Sequence, residues 1–238
     1  APGHRLPGAQ GLDLTGDSRI AAKSDRLPAV PLRVGMFGGA FDPPHRAHRA
    51  LAETALSQLD LDVLHIFPTG QAWHKSRSLT SAEHRLAMCE LAFGDLPRTR
   101  IDRREIQREG PSYTADTLRE LAGEYPGAEL FLVLGADQLL AFKRWVRWSE
   151  VLELATLAVA NRAAEIGADA LREHALEADL SSVDLPFRRL EMPLQNISAT
   201  AVRAQVGQPV DRSNSLSVLV PEAVASYISL HHLYQEPS

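Results

Sequence analysis

One cysteine, Cys89, is all that the 238 residues contain. No intrachain disulfide can form, and a Cys-x-x-Cys metal or redox site is excluded. Cys89 lies in "EHRLAMCELA" at helical spacing with Leu86 and reads as a small buried apolar residue. Long apolar runs are missing too. The longest candidate, "LELATLAVA", is broken by Glu153 and falls well short of the ~18 residues of a membrane span. The first residues lack the apolar core of a secretory signal, so a cytoplasmic protein is expected. A basic excess is also absent: 25 Lys and Arg stand against 30 Asp and Glu, for a net charge of −5. That argues against a nonspecific nucleic-acid binder but leaves room for a local basic pocket for phosphates. No internal repeat is visible. What is present is an ordinary globular balance, 45% hydrophobic and 23% charged, in a chain long enough for one domain or at most two.

Residues 1 to 30 show no sustained period and are rich in Gly, Pro, Asp and Ser. They are expected to form a poorly ordered extension ahead of a single domain over residues 31 to 238. From Leu32 the pattern changes. "LRVGMF", "VLHIFP", "TRIDRREI", "ELFLVLG", "TLAVANR" and "FRRLEM" read as strands. Between them, "RALAETALSQL" places Ala52, Ala55, Leu56 and Leu59 on one helical face. "TSAEHRLAMCELAF" opens with Thr80 and Glu83 at capping-box spacing. "SYTADTLRELAGEY", "DQLLAFKRWVRW", "SEVLEL", "SATAVRAQV" and "PEAVASYISLHHLY" complete the predicted helices. Strands that alternate with helices predict an α/β fold, a doubly wound and mostly parallel sheet. Ligands of such sheets bind beyond the carboxyl ends of the strands, at the switch point.

The stretch "GMFGGAFDPPHRAHRALAETAL" lies at the end of the first predicted strand. Gly38 and Gly39 fit either a tight turn or the close approach of a ligand. The helix that follows offers N–H groups and a positive dipole end to an anion. At spacing three, His45 and His48 can face the same side of that helix start, and imidazole can donate to phosphate oxygens. Each histidine alone fits a surface or core position; together, after "GGAFDPP", they favour a phosphate site. No third residue that would make them a metal pair is evident nearby.

"GGAFDPPHRAH" resembles the H-x-G-H motif of the nucleotidyltransferase superfamily, with Ala47 where that family usually has glycine. "NISATAVR" resembles its I-S-S-T-x-x-R motif. Three internal stretches are similar to the bacterial nicotinate-nucleotide adenylyltransferase branch: "FPTGQAWHK", "EGPSYTADTLREL" and "VLGADQLLAFKRWVRW". All five occur in that family's order and span Val34 to Arg203. The resemblance implies a Rossmann-like sheet of the nucleotidyltransferase type. It implies ATP contacts from Gly38, Gly39, Ala40, Phe41, His45, His48, Asp137, Ile197, Ser198, Thr200 and Arg203, with His45, His48 and Arg203 catalytic. Asp137 would accept from ribose hydroxyls. Nicotinate mononucleotide would be held by His74 and Lys75 at its phosphate. The amides near Tyr113 and Thr114 would hold its carboxylate, and Trp145 would stack on its pyridine ring.

The implied reaction joins nicotinate mononucleotide to ATP and releases pyrophosphate, in NAD biosynthesis. Mg²⁺ would arrive with ATP, held mainly by phosphates and water, so no dedicated protein metal site is expected. The expected partners are these small molecules, not nucleic acid or membrane. Other readings are a transferase of the same superfamily acting on nicotinamide mononucleotide or phosphopantetheine, and a catalytically silent nucleotide-binding protein. On the bare residues, Ser198 fits an ordinary N-cap, Asp137 a helix cap, Lys75 and Arg203 solvated cations, and Tyr113 and Trp145 core aromatics.

Overall fold

The computed structural model describes residues 30–70, 79–160, 179–193, 195–207 and 212–235. The expected N-terminal extension lies outside them except for Val30, as do His74, Lys75 and most of the polar stretch from 163 to 182. Six strands form one sheet in the order β3-β2-β1-β4-β5-β6. They are β1 (Arg33–Gly39), β2 (Val63–Pro68), β3 (Thr99–Ile101), β4 (Glu129–Gly135), β5 (Thr156–Ala160) and β6 (Arg188–Leu190). Every neighbouring pair is parallel, so "mostly parallel" becomes wholly parallel among the described residues. This is the strand order of the doubly wound dinucleotide-binding sheet.

Alternate residues of the strands feed two cores. One face buries Phe37, Leu64, Ile66, Phe131, Val133 and Ala158. It is covered by α1 (Arg46–Gln58), α2 (Ala82–Phe93), α7 (Ala199–Val206), α8 (Arg212–Leu219) and α9 (Glu222–Leu230). The other face buries Val34, Met36, Phe67, Leu132, Leu134, Leu157 and Val159 under α4 (Thr114–Glu124), α5 (Ala136–Ala141) and α6 (Trp148–Leu154). The period of two in the strands and the buried stripe Ala52, Ala55, Leu56 of α1 therefore fit together. Gly35 makes room on the first face: a Cβ there would meet Leu61 and Leu64 side-chain carbons at 2.6 and 2.7 Å.

Several sequence expectations shift. The third strand stops at Ile101 because the Asp102 carboxylate accepts the Arg104 N–H at 3.1 Å, turning the chain into the short helix α3 (Arg104–Gln107). Ser81, not Thr80, caps α2, its hydroxyl accepting from the His84 N–H. The helix expected over 137 to 148 is broken. A 3₁₀ turn covers Phe142–Arg144, and Arg147 takes a left-handed φ of 58° before α6 starts. Helix α8 was not foreseen. Cys89 is fully buried, as expected.

Candidate active site

The sheet opens at its switch point. Strand β1 pairs with β2 as far as Gly39↔Pro68, but with β4 only as far as Met36↔Leu132. Beyond Met36 the two central strands part, and the crevice between their carboxyl ends is where this sheet type binds ligands. Gly38 and Gly39 run along one lip of it. Their glycines have different causes. A Cβ on Gly39 would sit 3.1–3.3 Å from three ring atoms of Phe41, which folds back over it at a φ of 46°. A Cβ on Gly38 would meet nothing nearer than the Phe67 carbonyl oxygen at 3.9 Å. Packing does not require glycine at 38, and Gly38 is exposed, so its backbone is open to a close approach from outside.

The chain then turns through Asp42 into α1. His45 is the N-cap, with extended backbone, and is buried; His48 lies one turn inside. Their rings stack at 3.6 Å with 18° between planes, so the spacing of three does bring them together. The His45 N–H donates to Nδ1 of His48 at 3.3 Å. An Nδ1 that accepts fixes the neutral tautomer with its proton on Nε2, which makes Nε2–H a donor. Phe41 braces the His48 ring edge-on, with centroids 5.1 Å apart. Ala47 is buried, so its methyl is accommodated within the fold.

The second motif reaches the same turn. Ser198 caps α7, its Oγ accepting from the Ala201 N–H at 3.1 Å. Arg203, one turn on, donates from Nη2 to Thr200 Oγ at 3.0 Å and from Nη1 to the Asp42 carbonyl at 2.7 Å. Both hydroxyls accept within the protein, so each keeps its O–H to donate to an anion. Ile197, just ahead of the cap, packs on the core. Residues 161 positions apart are joined by the Arg203–Asp42 bond.

Two residues that motif reading missed hold this arrangement. Asp42 is 1% exposed; one carboxylate oxygen accepts the Thr80 N–H at 3.2 Å and the other the Tyr234 hydroxyl at 2.7 Å. Arg85, also 1% exposed, donates to three carbonyls: Thr80 at 2.9 Å, Ala40 at 2.9 Å and Gly70 at 3.1 Å. Thr80 is thus gripped by its N–H and its C=O together. Burial lowers the Arg85 pKa, with Asp42 opposing. The signal for Arg85 was present: it is a cation on the stripe that also carries Met88, Cys89 and Ala92, all buried.

On the other core, α4 starts at the Tyr113 N-cap, and Thr114 and Ala115 precede the first intrahelical N–H bonds, those of Asp116 and Thr117 to the Tyr113 carbonyl. These are free-donor positions of the kind that suit a carboxylate. Arg147 ties this helix start to the Trp145 segment. Its guanidinium lies 5.4 Å from the Tyr113 ring centroid and donates to Asp116 at 2.6 Å. That bond, outweighing burial, holds the Asp116 carboxyl below its usual range. Trp145 is half-buried, 5.2 Å from the Phe142 ring. Asp137 is exposed in the first turn of α5, where β4 ends, and accepts from the Gln138 amide at 3.3 Å. Among the described residues, no group of three or more His, Cys, Asp and Glu is placed to hold a metal ion.

Comparison with known proteins agrees with this geometry. The family model described as cytidylyltransferase-like matches residues 36–205. A protein of Albidiferax ferrireducens named "Probable nicotinate-nucleotide adenylyltransferase" is 52% identical over 204 residues, covering 85% of this chain and 98% of its own. One of the same name from Clavibacter michiganensis subsp. michiganensis is 40% identical, covering 88% of this chain and 98% of its own. Among solved structures, the Plasmodium falciparum nicotinic acid mononucleotide adenylyltransferase complexed with APC superposes with a TM-score of 0.66 at 17% identity, covering 85% of this chain and 97% of that one. The same enzyme complexed with NaAD gives 0.64 at 18%, with the same coverage. At these identities the structures establish the shared fold. The relatives and the family model together establish that the chain belongs to the nicotinate-nucleotide adenylyltransferase family of cytidylyltransferase-like proteins.

Proposed function

We propose that this protein joins nicotinate mononucleotide to ATP, giving deamido-NAD and pyrophosphate in NAD biosynthesis. The observation that carries the reading is the Arg203–Asp42 bond, which brings both halves of the nucleotidyl motif to one turn at the switch point. A phosphate oxygen of the mononucleotide attacks the α-phosphorus of ATP. The bond from that phosphorus to the bridging oxygen breaks, and pyrophosphate leaves with the electron pair. The nucleophile is already anionic, so no protein base is needed. Catalysis then comes from alignment and from charge stabilisation on the leaving group.

The roles are those the family resemblance implies, and the bonds at the Asp42 turn support the ones assigned to the ATP half. Gly38, Gly39, Ala40 and Phe41 shape the cradle. His45, His48 through Nε2–H, the hydroxyls of Ser198 and Thr200, and Arg203 surround the triphosphate, with Ile197 behind them. Asp137 accepts from a ribose. The start of α4 at Tyr113 and Thr114 takes the nicotinate carboxylate, and Trp145 stacks on the ring. His74 and Lys75 take the mononucleotide phosphate. The donors at the turn are imidazole, guanidinium and hydroxyl, which suit phosphate oxygens better than a hard cation. A Mg²⁺ ion would therefore be carried by the triphosphate and water, screening the charge there. Residues 31 to 238 act as one domain, consistent with the compact unit Pro31–Ser238. The setting is the cytoplasm, where ATP is held; no described helix is long and apolar enough to cross a membrane.

Pyrophosphate release with ATP and a panel of acceptors tests the reading. Nicotinate mononucleotide is expected to be turned over best, because helix N–H donors favour an acid over an amide. Faster turnover of nicotinamide mononucleotide or phosphopantetheine would overturn the substrate assignment. Silence with every acceptor would mean a nucleotide-binding protein without activity.

A further inference from the structure

Beyond α9 the chain makes a tight turn in which two non-glycine residues take left-handed backbone, His232 at φ 49° and Tyr234 at φ 63°. Such conformations are costly for a bulky side chain and persist when the surroundings over-determine them. What the turn achieves is delivery of one hydroxyl. Tyr234 packs its ring on the core of the first face and donates from its hydroxyl to Asp42 at 2.7 Å, across 192 residues. Burial and the Asp42 charge push the phenol pKa well up, so it remains a donor throughout the working pH range. Asp42 now has both carboxylate oxygens engaged, by Tyr234 and by the Thr80 N–H, while its carbonyl holds Arg203. A residue bonded on three sides by three remote segments has one orientation, and its peptide plane sets where the Arg203 guanidinium lies.

We infer that Tyr234 is a positioning residue for the ATP half of the site, acting through Asp42 on Arg203. The inference rests on the proposed reading of that turn as the triphosphate cradle.

The test is Tyr234→Phe in the full chain, which keeps the ring and removes the hydroxyl, with its bond to Asp42 and its side-chain hydrogen bond with Thr80. Leaving a buried carboxylate oxygen short of a partner is expected to lower kcat/KM for ATP about tenfold. KM for nicotinate mononucleotide should stay within about twofold, since the α4 start and Trp145 belong to the other core. Ile228→Val is the comparison: it loosens the same tail from a buried position on α9 without touching Asp42. It should lower the melting temperature and leave both KM values alone. The inference is overturned if Tyr234→Phe moves neither substrate, moves both equally, or is matched by Ile228→Val. Failure of the underlying reading looks different: the wild-type chain itself would release no pyrophosphate. Calorimetry with ATP then decides. Roughly tenfold weaker binding by Tyr234→Phe supports the positioning role, whereas equal binding, or none by the wild type, ends it.

Discussion

His48→Ala removes two things at once, and the structure says how to separate them. Nδ1 of His48 accepts the His45 N–H at the start of α1. Losing that capping bond should cost about 0.5–2 kcal/mol of stability. For a chain of this size, each kcal/mol lowers the melting temperature by about 2–4 °C. Nε2–H is the second loss. As a preorganised donor to charge that grows on the leaving pyrophosphate, its removal should lower kcat ~10²–10³-fold. His48→Asn divides the two. The asparagine side-chain oxygen can accept the His45 N–H from the same position, but it lacks a donor at the reach of Nε2. The expected pattern is a lowered melting temperature and kcat for His48→Ala, and a largely restored melting temperature with kcat still low for His48→Asn. The assay is pyrophosphate release at saturating ATP and nicotinate mononucleotide, alongside a thermal melt. Should kcat per folded molecule stay near normal in His48→Ala, the histidine is a cap and nothing more. The charge would then fall to His45 and Arg203.

Trp145→Ala should raise KM for the pyridine nucleotide more than for ATP, by the roughly 0.5–1.5 kcal/mol of an aromatic contact; equal shifts with a lower melting temperature would make Trp145 a core residue. A chain starting at Pro31 should keep kcat/KM nearly intact, and a large loss in a folded truncation would refute the single-domain reading. Burial would raise the Asp102 carboxyl, but hydrogen bonds with His65 and Arg104 outweigh it and hold the group well below the usual carboxylate range. Its folded pKa is depressed, so its stabilisation is complete above about pH 4 and fades as pH falls further. Denaturant unfolding should therefore show a gap between wild type and Asp102→Asn that is full at pH 7 and narrows in acid; a gap independent of pH would contradict this.

The parts that were legible in the sequence are those whose cause is local. The four inner strands announce themselves as apolar runs, and α1 by its buried stripe. His45 and His48 could be paired because three residues of helix suffice to join them. The helix break at 142–147 left no such mark. Phe142, Trp145 and Trp148 keep a helical period straight through it, and Arg147 is no glycine. Its left-handed backbone is stabilised by Asp116 and Tyr113, which lie more than 30 positions earlier. Asp42 and Tyr234 were hidden for a related reason, and so were the partners of Arg85, although its own place on the buried stripe of α2 was legible. Among the described residues the Arg85 hydrogen bonds all go to backbone carbonyls, which every residue possesses, so nothing in the identity of Ala40, Gly70 or Thr80 betrays them. Tyr234 is separated from Asp42 by almost the whole domain.

Cys89 sits one turn beyond Arg85 on α2, fully buried, with burial pushing its thiol pKa up. As the sole sulfhydryl in the chain, it makes the folded protein silent to thiol reagents. A reagent is consumed only while α2 stands away from the sheet, so its consumption times that opening. The helix that opens is the one whose guanidinium grips the turn at Ala40, and a ligand that binds only the closed form must slow the clock in proportion to its occupancy. Occupancy of the proposed site at His45, His48 and Arg203 can thus be followed at a sulfur atom outside it.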